Sequence, residues 1–208
     1  MKRLLFAAGA VLLSAGAAKA SITPVLDTIT PDGSNFTFNY HATLSGDEGL
    51  TAGSILVIFD FAGYVAGSIF APSPDIATSI VMTANFNTAV GGVQVNPMFT
   101  DDPTIPDLVF TYTGPDFHTS GGPFSDVVFS GLRATSTLGG LALDGFSSRA
   151  ISNNGMGTVG AASFNNGAVG VAAALVPEPA SWALLVVGFG GVGSMFRARR
   201  RKTVQSFA

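Results

Sequence analysis

Phe36, Phe38 and Tyr40 alternate with Thr37 and Asn39, and the same period of two returns where Leu108, Phe110 and Tyr112 alternate with Val109, Thr111 and Thr113. Successive side chains of a strand point to opposite faces, so each run can bury one face of a sheet and wet the other. Ile55 to Phe61 is a denser β-branched and aromatic run, and Val127 to Phe129 follows another turn. Between these runs lie Pro31-Asp32-Gly33, Gly46-Asp47-Glu48-Gly49, Pro72-Ser73-Pro74-Asp75, Asp101-Asp102-Pro103 and Gly114-Pro115-Asp116. Those residues supply the φ angles and local hydrogen bonds of turns. Short strands with this punctuation predict an all-β fold, with a β-sandwich or jelly-roll-like body.

The stretch 139–175 differs in composition, being rich in Gly, Ala, Ser and Asn. Asn153-Asn154-Gly155 and Asn165-Asn166-Gly167 each have the chemistry of a tight turn. A terminal hairpin and a loose stalk both fit, so the body proper is expected over 21–138.

At the amino end, Lys2 and Arg3 precede an apolar run from Leu4 to about Ala18, closing on Ala18-Lys19-Ala20. This is the pattern of a secretory signal helix over 1–20, with cleavage after Ala20 between small residues. The run is short for a span of about 20 residues, which argues against a retained anchor.

Charge is segregated along the chain. Only Arg133 and Arg149 lie between Ser21 and Val176, against twelve acidic residues, so a nearly neutral-looking total of -3 conceals a body near -10. Such a body repels nucleic acid and anionic lipid at long range. With no cysteine in the chain, disulfides and thiolate chemistry are both excluded. The 156 residues from Ser21 to Val176 suffice for one apolar core.

The carboxyl end is the most specific segment. Pro177 and Pro179 hold Val176 and Glu178 extended, Trp182 suits a membrane interface, and an apolar stretch runs from Ala180 to Phe196. As a transmembrane helix those residues reach about 25 Å against a hydrocarbon layer of about 30 Å, a marginal span diluted by glycine. Arg197, Arg199, Arg200, Arg201 and Lys202 then form a cationic stop, which places the body on the far side from the cytoplasm.

With Pro177, Glu178, Pro179, Trp182 and Ala183 in this order, followed by a span and a basic cluster, residues 176–202 resemble the PEP-CTERM sorting signal in its Pro-Glu-Pro-x-x-Trp-Ala variety. The resemblance implies export through the inner membrane of a Gram-negative bacterium and recognition by an exosortase-type membrane enzyme. It further implies cleavage near Pro-Glu-Pro, and delivery to the cell surface or an exopolysaccharide matrix. It covers the tail only.

Chemistry in the body is sparse. Gly188-Phe189-Gly190-Gly191-Val192-Gly193 fits a nucleotide-loop pattern but lies inside the expected span, without the strand, helix and acidic partner such a loop needs. His41 and His118 are the only histidines, and a zinc site would require Asp116 or Asp126 to close on both. Asp101, Asp102 and Asp107 are weak calcium candidates: their oxygens suit the ion, but the D-x-D-x-D-G spacing is absent and Pro103 and Pro106 interrupt them. No Gly-x-Ser-x-Gly elbow occurs.

The expectation is an exported, non-enzymatic surface or matrix protein without a cofactor. One rival is a carbohydrate- or calcium-binding module in which Tyr40, Tyr64, Tyr112 and aspartates gather on one face. The other is a glycoside hydrolase using two separated carboxylates.

Overall fold

The computed structural model describes residues 21–82, 93, 99–153 and 158–174, together with 187 and 189. The expected signal helix with its Ala18–Ala20 boundary and the motif and basic cluster of the tail lie outside these residues. The chain divides into two compact units, 1–173 and 174–208. In the second, Val187 and Phe189 are helical and exposed. Among the described residues no helix is long and apolar enough to cross a membrane.

The described residues of the first unit are all-β. Its strands are β1 (Ile22–Asp32), β2 (Asn35–Leu44), β3 (Glu48–Gly49), β4 (Ile55–Ile58), β5 (Ile76–Val81), β6 (Asp107–Tyr112), β7 (Val127–Ser136), β8 (Gly140–Ser152) and β9 (Ala162–Ala173). All pairings are antiparallel. One sheet runs β1-β2-β7; in the other, β8 pairs β9 along one edge and β3 and β4 along the other, and the sheet continues through β6 to β5. Among the described residues neither sheet closes on itself.

The two sheets share a core. Phe38 and Tyr40 of β2, Leu132 of β7, Leu56 and Ile58 of β4, Leu108 and Phe110 of β6, and Val169 and Val171 of β9 are buried in one cluster. Each such side chain contributes roughly 1.5–3 kcal/mol by leaving water. Phe38 meets Phe61 edge to face at 5.3 Å between ring centroids. Polar ties cross between the sheets, among them one from Asn165 of β9 to the Thr23 hydroxyl of β1 at 3.0 Å. Tyr40 donates its hydroxyl hydrogen to the Gly170 carbonyl at 3.0 Å, and Ser148 both accepts from the Ile22 N–H and donates to the Ile22 carbonyl.

Period two explains β2, whose alternate residues Phe38, Tyr40, Ala42 and Leu44 are buried. It is only half the account of the larger sheet, where Ile55, Val57, Phe59, Val93 and Val109 form a second buried cluster on the opposite face. β4 and β6 are therefore covered on both sides, and their sequences read as continuous apolar runs for that reason. β1 carries Pro24 and Pro31, which an edge strand tolerates because a missing N–H there costs no ladder bond.

The Gly/Ala/Asn-rich stretch forms β8 and β9, the longest pairing of the larger sheet. Asn165-Asn166-Gly167 is not a turn but lies within β9, paired with Ser148, Ser147 and Phe146. The glycine is explained by packing: a Cβ at Gly167 would stand 2.6 Å from the Phe146 ring. Asn153, at the end of β8, is fully buried and donates through Nδ2 to the carbonyls of Gly46 and Glu48.

Candidate functional site

β4 ends at Ile58 because the backbone turns at Asp60, which has φ 52°. Aspartate is among the few side chains that accept this left-handed region. The turn also switches faces: Phe59 belongs to the outer cluster and Phe61 to the core between the sheets, whereas residues two apart in a regular strand share a face. Phe59 still donates its N–H to Gly145 of β8, and Phe61 donates to Pro106, so the chain stays fastened on both sides of the bend. The Asp60 N–H is left pointing elsewhere, and the carboxylate of Asp107 receives it at 2.9 Å.

The segment before β6 folds back to the same place. Asp102 donates its N–H to both carboxylate oxygens of Asp60, at 3.1 and 3.3 Å, and the Ile105 N–H closes a turn onto the Asp102 carbonyl. Carboxylate oxygens of Asp60, Asp101 and Asp107 consequently lie within 4.8 Å of one another. Asp107 is 0% exposed, Asp60 7% and Asp101 9%. Neither oxygen of Asp101 has a hydrogen-bond partner, nor does Oδ2 of Asp107.

The electrostatics follow from that crowding. Burial pushes the Asp107 carboxyl up to about 8, with the charges of Asp101, Asp60 and Asp144 adding to the effect and the Asp60 N–H opposing it. Burial likewise lifts Asp60 to about 6, against the Asp102 N–H and with help from Asp144, Asp101 and Asp102. Asp101 is raised by burial, then by Asp102 and Asp144. Asp144, half-buried on β8, is itself raised by burial although the Gly145 N–H bonds it at 2.6 Å. Three buried carboxylates this close persist only when protons or a cation neutralise them.

Of the calcium candidates read from the sequence, the structure brings together Asp101 and Asp107 and leaves out Asp102. Asp102 is exposed, and its carboxylate accepts the N–H and hydroxyl of Thr104, which hold it below the usual carboxylate range. Its backbone, not its side chain, serves the cluster. Asp60, distant in sequence and inside an apolar run, is not among those candidates; its only signal in the sequence is an acid interrupting Ile55 to Phe61.

The histidines stand elsewhere. His41 pairs with Asp27 at 2.6 Å, and His118 stacks at 4.0 Å on both Phe117 and Phe124. Asp126 is engaged by the Gly46 N–H. The tyrosines do not gather into a sugar-stacking face: Tyr40 is wholly buried, Tyr64 reaches the Ile69 N–H, and Tyr112 donates to the Pro115 carbonyl. A small depression between the sheets is apolar, lined by Ile22, Ala42, Leu56, Phe110, Phe129 and Leu132 among others, and holds none of the acids. Comparison with family models, curated proteins and solved structures finds no match to this chain.

Proposed function

We propose that this is an exported, non-enzymatic surface or matrix protein, a β-sandwich body carried to its destination by two address segments. The amino-terminal signal directs it through the inner membrane of a Gram-negative cell. The tail around Pro177, Glu178, Pro179, Trp182 and Ala183, with its short span and basic stop, presents it to an exosortase-type enzyme for sorting to the surface or an exopolysaccharide matrix.

The observation that carries this reading is where the strands begin and end. β1 starts at Ile22, directly after the expected cleavage point, and β9 finishes at Ala173, just before the Pro-Glu-Pro segment. All nine named strands fall between the two addresses. Removal of either address would leave every pairing between these nine strands in place. A hydrolase fits less well, since the clustered carboxylates are buried and the depression between the sheets is apolar.

The test replaces Pro177, Glu178 and Pro179 with alanine in the native host and follows fractionation and intact mass. The expected result is full-length precursor accumulating in the inner membrane. Unchanged release and unchanged mature mass would overturn the sorting reading.

A further inference from the structure

We propose that Asp60, Asp101 and Asp107 form a calcium site that pins the segment before β6 against the end of β4. This does not depend on how the chain is sorted. The observation that points to a ligand is the state of the oxygens: both of Asp101 and Oδ2 of Asp107 are buried without a hydrogen-bond partner, in residues more than nine-tenths buried. Leaving such a group unpaired costs more than most single interactions contribute, and no Lys or Arg is among the groups that shift these three carboxyls.

Geometry and chemistry select the ion. Calcium holds oxygen ligands at about 2.4 Å, so two ligands of one ion are at most about 4.8 Å apart. The three carboxylates each offer an oxygen inside that limit. Magnesium, at about 2.1 Å with strict octahedral demands, asks for a tighter set and keeps its waters. The donors are all carboxylate oxygens, without the sulfur or imidazole that favours zinc. Asp144 adds a nearby fourth negative charge, and water or carbonyl oxygens would have to complete a shell of six to eight.

The fold assigns the bound ion a mechanical role. Asp60 follows the end of β4, Asp107 opens β6, and Asp101 lies in the segment between β5 and β6. One ion joining them fastens the segment before β6 to the end of β4.

The experiment uses the full chain in detergent, stripped with a chelator and titrated with calcium chloride alone, followed by calorimetry and thermal melting. The expected result is one calcium per chain with an affinity of about 10⁻⁴ to 10⁻³ M, as extracellular modules show, and a melting temperature raised by about 5–10 °C near saturation. Magnesium at the same concentration should give a smaller rise. Asp101→Asn should weaken calcium binding at least tenfold. Asp60→Asn serves as the second variant, because asparagine accepts the left-handed backbone while removing the charge; it should lose binding to a similar extent. Asp102→Asn should bind like the parent. No binding up to about 10 mM calcium would overturn the proposal, as would equal binding by the parent, Asp101→Asn and Asp60→Asn.

Discussion

The hydroxyl of Tyr40, on the central strand of the smaller sheet, is 3.0 Å from the carbonyl oxygen of Gly170 on the edge strand of the larger one. Both partners are buried, and burial lifts the phenol far above its ordinary range, so the tyrosine remains a neutral donor. Tyr40→Phe keeps the ring and removes the donor, leaving a buried carbonyl without this partner. The expected loss is about 1–2 kcal/mol by chemical denaturation, with an unchanged fold by circular dichroism. A loss below a few tenths would show that the bond does not tie the sheets.

Gly167 tests why the Asn-Asn-Gly triplet is inside a strand. Its missing side chain makes room for the Phe146 ring, which would be 2.6 Å from a Cβ. Gly167→Ala should destabilise the body by about 1–3 kcal/mol through overpacking, although alanine is the better residue for an extended backbone. Were Gly167 a turn glycine with no neighbour, the same change would act through φ alone, and pairing it with Phe146→Leu would restore nothing. Partial restoration by that second change is expected here.

The carboxylate cluster gives the calcium-free chain a defined pH response. Asp60 and Asp107 are raised from an ordinary value near 3.8 to about 6 and about 8. A folded state with raised values binds more protons than the unfolded chain. Its extra stability is therefore complete below about pH 4 and lost as pH climbs through 6 and then 8. The depressed Asp102 acts oppositely but only at the acid end, below this window. Melting temperature in chelator should fall by more than about 5 °C from about pH 5 to about pH 9. Saturating calcium should flatten that slope, since the bound ion replaces the protons. A flat profile in chelator would show that the three acids are not crowded in solution.

Much of the fold was legible because alternation reports burial directly. Phe38 and Tyr40 of β2 and Leu108 and Phe110 of β6 face the core as their spacing predicts. β1 was hidden by Pro24 and Pro31, which argue against a strand until its place at the edge is known. The run Ile55 to Phe61 predicts a longer strand than β4, since nothing local announces the bend at Asp60. The acid site was half legible: Asp101 and Asp107 stand near each other in sequence, whereas Asp60 joins them only through the β4–β6 pairing. Asp102, their sequence neighbour, looked equivalent and is not, because adjacent residues point different ways.

The φ of 52° at Asp60 has an evolutionary corollary. Glycine would accept that backbone more readily than aspartate does, but it cannot supply a carboxylate. Related chains should therefore fall into two groups, one keeping acids together at positions 60, 101 and 107, the other drifting to glycine or asparagine at 60 once either of its companions has gone. Covariation across those three columns, rather than retention of any one of them, would be the genetic signature of the site.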